Sequence, residues 1–137
     1  MGARMKSKLI LVVALLAVCY VARPATAANN GPVACTQPGA TVPANLAGAW
    51  RPRQHDDGGD WHEVAPPQFA TDGTFSENSS GGLRYGHWCV YQNVLIWGFD
   101  DLEHTTYRVP INQSEPMRGF MSWDGGGTGE VEITRVR

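Results

Sequence analysis

From Leu46 to the C-terminus, apolar and polar residues alternate over short stretches, and glycine, proline, asparagine or aspartate interrupts them every few residues. Alternation sends successive side chains to opposite faces, which is the pattern of a strand buried on one side. No segment of this part holds a 3.6-residue period. The pattern predicts eight short strands, over 46–52, 67–72, 74–79, 83–92, 94–101, 104–112, 116–123 and 130–137. A polar loop, 53–66, follows the first. Asp72-Gly73 and Gln92-Asn93 read as tight turns, Pro110 as an edge or bulge position, and 124–129 as a glycine-rich flexible loop. Short consecutive strands joined by tight turns predict an all-β fold, a small up-and-down antiparallel β-barrel of about eight strands; a β-sandwich is the alternative.

Strand parity assigns faces. Trp88 and Val90 share one face of 83–92, opposite Tyr85, His87, Cys89 and Tyr91. Tyr107, Val109 and Ile111 align opposite His104, Thr106 and Arg108. In the last strand Val131, Ile133 and Arg135 align opposite Glu130, Glu132 and Thr134. The acidic face is expected to meet solvent, which sends Arg135 inward at one end, where it needs a partner.

The first 45 residues break this pattern. Arg4, Lys6 and Lys8 precede an apolar run from Leu9 to Ala22, and Ala25-Thr26-Ala27 follows as a small-x-small site. This reads as a cleavable signal peptide over 1–27, too short in its apolar part for the roughly 20 residues of a membrane span. Secretion or release into a periplasm is expected; the alternative is a lipid anchor on Cys19, in Leu16-Ala17-Val18-Cys19. Residues 28–45 carry several prolines and glycines and read as an extended leader, with the barrel domain over 46–137.

Export changes the charge and cysteine counts. Cleavage would remove four of the 11 basic residues and none of the 13 acidic ones, turning a net charge of −2 into −6 and leaving arginine as the sole basic type. No nucleic acid and no anionic membrane surface is expected as a partner. Cys35 and Cys89 would remain, and in an oxidising compartment they are expected to pair. Cys89 is opposite Trp88 in parity. With Trp88 inward, the bond would strap the leader to the outside of the barrel.

Gly48-Ala49-Trp50 in the first strand and the arginine of the last strand resemble the calycin superfamily, which includes lipocalins, fatty-acid-binding proteins and avidins. The order Gly48-Ala49-Trp50, Phe69-Ala70-Thr71-Asp72-Gly73-Thr74-Phe75, Gly86-His87-Trp88, then Gly119 and the glycine-rich 125–129, is similar to small bacterial exported lipocalin-like domains. The resemblance implies that Trp50 packs under Arg135 and closes one end of the barrel. It implies a fold and no particular ligand.

Candidate chemistry is sparse. His55, Asp57, Asp60 and His62 are weak metal-ligand candidates in a stretch that equally suits a solvated loop. Asp100, Asp101, Glu103 and His104 bring carboxylates near an imidazole but suit a charged hairpin turn. No nucleophile elbow is present, so neither an enzyme nor a cofactor is expected. Trp88, Trp97, Tyr107, Met121 and Trp123 are the ligand-binding candidates, residues that would equally serve a plain core. The expectation is a noncatalytic exported barrel that holds a small apolar or amphipathic ligand. A second reading is an interaction protein similar to periplasmic protease inhibitors, acting through a tail at 28–45.

Overall fold

The computed structural model describes residues 31–56, 59–100 and 104–137; the expected signal peptide, Cys19, Asp57, Asp101 and Glu103 lie outside them. The strands are β1 (Gly48–Asp56), β2 (His62–Glu63), β3 (Gln68–Phe69), β4 (Thr74–Ser79), β5 (Gly82–Tyr91), β6 (Val94–Phe99), β7 (Thr106–Pro110), β8 (Met117–Trp123) and β9 (Gly127–Arg135). From β3 onward each strand pairs antiparallel with the next. β9 returns to pair with β1, and β1 pairs with β3, so eight strands close an antiparallel barrel and β2 is an extra pairing on the far half of β1. Closure satisfies the backbone groups that a sheet edge would leave open.

The local chemistry of the turns sets this meander. Gln92 and Asn93 both have positive φ, 50° and 61°, the two-residue geometry whose twist matches the flanking strands. At Asp72 the carboxylate accepts the backbone N–H and the hydroxyl of Thr74, at 2.9 and 2.6 Å. The Thr74 hydroxyl and amide hold that carboxyl below its usual range.

β1 runs past its predicted end, through the polar stretch Arg53 to Asp56. These residues pair with Gly129 to Glu132 of β9, and the Arg53 guanidinium lies 3.1 Å from Glu132. Arg118 of β8 reaches the other oxygen of Glu132 at 3.2 Å. Glu132 is on the outer face as parity predicts, yet it is 7% exposed rather than solvated. Two arginines cover it, which offsets the cost of withdrawing a carboxylate from water.

The barrel is filled from one end. Trp50, Phe69, Phe75, Trp88, Leu95, Trp97, Val109, Val131 and Ile133 are buried inward residues. Phe69 stacks on Trp88 at 5.0 Å between centroids, and Trp97 stacks on Tyr107 at 4.6 Å with the ring planes 6° apart. The indole N–H of Trp88 donates to the Ala70 carbonyl at 2.8 Å, so a polar tip buried in the core has its partner.

The leader lies on the outside. Cys35 is bonded to Cys89, and Thr41 and Val90 exchange both backbone hydrogen bonds at 2.9 and 2.7 Å. A Cβ on Gly31 would press on His87, and one on Gly98 on Pro32. The strap therefore covers the outer faces of β5 and β6, which explains why Cys89 and Ile96, both outward in parity, are buried. Among the described residues no helix is long and apolar enough to cross a membrane.

Candidate functional site

The two ends of the barrel differ. At one end the Arg135 guanidinium lies over the Trp50 indole, 4.4 Å from its centroid. Arg135 also donates to the carbonyls of Ala47 and Asn45, and the Trp50 indole N–H donates to the Leu46 carbonyl at 2.9 Å. The inward parity of Arg135 thus ends in a plug built from both termini of the barrel. Arg135→Ala is expected to cost about 2–3 kcal/mol, because it removes a cation–π contact and leaves two carbonyls without their donor. Trp50→Phe is expected to cost about 1–2 kcal/mol, through the lost indole bond and ring area. Urea denaturation measures both; unchanged midpoints would show that this plug does not hold the end shut.

The other end is open. A cavity of about 450 Å³ sits there, lined by Gln54 and Asp56 of β1, Arg84 of β5, Phe99 of β6, Thr105 and Tyr107 at β7, and Met121, Trp123 and Asp124 at the end of β8. This volume is in the range of small-molecule sites. Phe99, Tyr107 and Met121 are buried and form the apolar floor, while Trp123, 36% exposed, stands at the rim. Two glycines shape that rim. Trp123 is paired across strands with Gly127, and Met121 with Gly129. Any Cβ at Gly127 would overlap the Trp123 indole, and one at Gly129 the Met121 methyl and the His55 carbonyl. The glycine-rich hairpin is therefore also the space into which the side chains of β8 fold.

The polar groups of the cup are arranged unevenly. Arg84 lies 3.8 Å from Glu77, its inward neighbour across β4, and its guanidinium sits 3.7 Å over the Phe99 ring. The Tyr107 hydroxyl donates to Gln54 Oε1 at 3.4 Å. Asp56 and Asp124 are exposed at the rim, and among the described residues their carboxylates have neither a hydrogen-bond nor an ion-pair partner.

Of the five ligand-binding candidates, Tyr107, Met121 and Trp123 line this cup, whereas Trp88 and Trp97 lie deeper, 1% and 2% exposed, within the packed core. Gln54, Asp56, Arg84, Phe99, Thr105 and Asp124 are new to the site. Parity could have found Arg84: two residues before Gly86 and four before Trp88, it shares their inward face. The metal candidates do not converge. His55 points outward against Trp61, with ring centroids 5.4 Å apart, and His62 Nδ1 lies 3.3 Å from the Asp60 carbonyl. Among the described residues no three histidines, cysteines or carboxylates stand together as a metal site. Asp100 bonds His87, at 2.7 Å, rather than His104. That pair is on the outer surface beside the leader, where His87 lines a separate cavity of about 200 Å³; neither residue lines the cup.

Compared with known proteins, the chain matches no family model, no curated protein and no solved structure.

Proposed function

We propose that this chain is an exported, noncatalytic binding protein with a lipocalin-like barrel, and that it holds one small amphipathic ligand in the open cup. The observation that carries this reading is the asymmetry of the barrel: one end plugged by Trp50 and Arg135, the middle packed with aromatic rings, the other end a cup of about 450 Å³. A barrel that served only as a scaffold would have no need of a rim that carries an exposed indole above an apolar floor. The lining suits holding a ligand, since its floor is formed by the buried, apolar Phe99, Tyr107 and Met121.

Export is supported by the signal-like pattern of residues 1–27 and by the Cys35–Cys89 bond, which suits an oxidising compartment. The likeness to calycins is supported by the Trp50–Arg135 contact on the first and last strands of a closed eight-stranded barrel. The tail-inhibitor reading draws less support. Residues 35 and 41 of that tail are tied to the barrel wall, whereas an inhibitory tail must reach away from it.

Native mass spectrometry of the protein purified from its own host tests the proposal. The expected result is a mass increment of one small molecule that is lost on denaturation and reduced by Trp123→Ala. A bare polypeptide mass under the gentlest ionisation, for both proteins, would overturn it.

A further inference from the structure

We infer that the ligand of the cup is a cation, a primary ammonium carried on a planar apolar body. This rests on the binding role proposed above and adds the class of ligand to it. The balance of charge in the lining decides the sign. Among the described residues of the lining, Asp56 and Asp124 are two carboxylates with no partner, whereas the cation present there, Arg84, is already held by Glu77 and by the face of Phe99. An anion entering the cup would approach two carboxylates and find the Arg84 counter-charge already engaged. A wholly apolar ligand would strip water from the same carboxylates and return nothing to them. An ammonium group meets a carboxylate at the rim and replaces the water it displaces.

The walls decide the rest of the molecule. Tyr107 and Phe99 on the floor and Trp123 at the rim present aromatic surface. Such rings attract a cation over their faces and stack with a planar group. Trp97 backs Tyr107 in a parallel stack, so the floor is rigid and the planar body has to lie on it rather than sink into the barrel.

Three probes with one phenyl ring separate the classes: phenethylamine, its uncharged N-acetyl form, and 3-phenylpropionate. Each is titrated into the full-length mature chain by calorimetry, and the five tryptophan indole N–H signals are followed by NMR. Phenethylamine is expected to bind and to move the Trp123 signal while the Trp50 and Trp88 signals stay in place. N-acetylphenethylamine is expected to bind about tenfold more weakly or worse, and 3-phenylpropionate not at all. Asp56→Asn and Asp124→Asn, both exposed and neutral for folding, are each expected to weaken phenethylamine about threefold to tenfold, with the effect shrinking at high salt. Equal or tighter binding of the uncharged or anionic probe at Trp123 would overturn the cationic class and leave the cup as a binding site. Absence of binding by all three would overturn the cationic class too, and the binding role would then stand or fall on the native mass alone.

Discussion

Replacing Cys35 and Cys89 together by alanine is expected to destabilise the barrel by about 3–4 kcal/mol, and to lower its melting temperature by roughly 15 °C or more. The two cysteines are 54 residues apart in sequence, and in the chain-entropy description a loop of that length, left free in the unfolded chain, is worth about 4 kcal/mol. That is a large share of the 5–15 kcal/mol that holds an ordinary domain together. The native side adds to it. With the bond gone, the leader keeps the Thr41–Val90 bridge and the packing of Gly31 and Pro32 against His87 and Gly98. Those contacts must then restrain the leader alone. Hydrogen exchange should therefore quicken first at Thr41 and Val90, and later or not at all at the amides between β8 and β9. Calorimetry together with exchange measures this. An unchanged melting temperature with full protection at Thr41 would mean that the leader docks by itself and that the bond is incidental.

The outward strap was legible because parity needs only one anchored residue: once Trp88 is inside, Cys89 is outside, and whatever it is bonded to must run over the wall. The inward turn of Arg135 was legible for the same reason, since it lies on the apolar face of the last strand; its pairing with Trp50 came from the likeness of Gly48-Ala49-Trp50 to calycins and not from parity. The turns at Asp72-Gly73 and Gln92-Asn93 announce themselves through residue types that favour tight reversals. What escaped was polar and non-local. Arg53, Gln54, His55 and Asp56 look like loop residues, and they become strand because β9 lies alongside and Glu132 awaits Arg53. Glu132 looks solvated until Arg118 arrives from β8. The cup suffered most. Its floor follows from the apolar pattern, but Arg84, Gln54 and Asp56 are inward polar residues, and a reading that equates inward with apolar stops at Gly86. Glycine told only half its role: a run such as 125–129 signals a turn, and nothing in one strand's sequence shows that the indole of Trp123 lies over its cross-strand partner, Gly127.

Trp97→Ala is expected to cost about 3–5 kcal/mol, as for a large aromatic removed from a packed interior, and to yield a protein that indole restores in part. Trp97 is 2% exposed, stacked on Tyr107 and edge-on to Phe69 at 5.7 Å. Its neighbours across the strands, Trp88 and Tyr107, belong to an interlocked layer that cannot collapse into the gap without leaving its own rotamers. The hole should therefore persist, and an apolar hole of this size stays dry and accepts a small aromatic molecule. Indole at a hundred times its dissociation constant would return about 2.7 kcal/mol by mass action, visible as a rise in melting temperature that the parent protein does not show. The hole also lies beneath Tyr107, the floor of the cup, so the variant tests where binding in the parent stops. With the floor rigid, phenethylamine binding should fall in Trp97→Ala, because Tyr107 loses the ring that holds it flat, while indole gains a site that the parent lacks. If the variant instead loses less than about 1 kcal/mol and indole has no effect, the middle of the barrel is not the packed layer that confines a ligand to the mouth. A ligand could then sit at the depth of Trp88 and Trp97, the two candidates that the packing places out of reach.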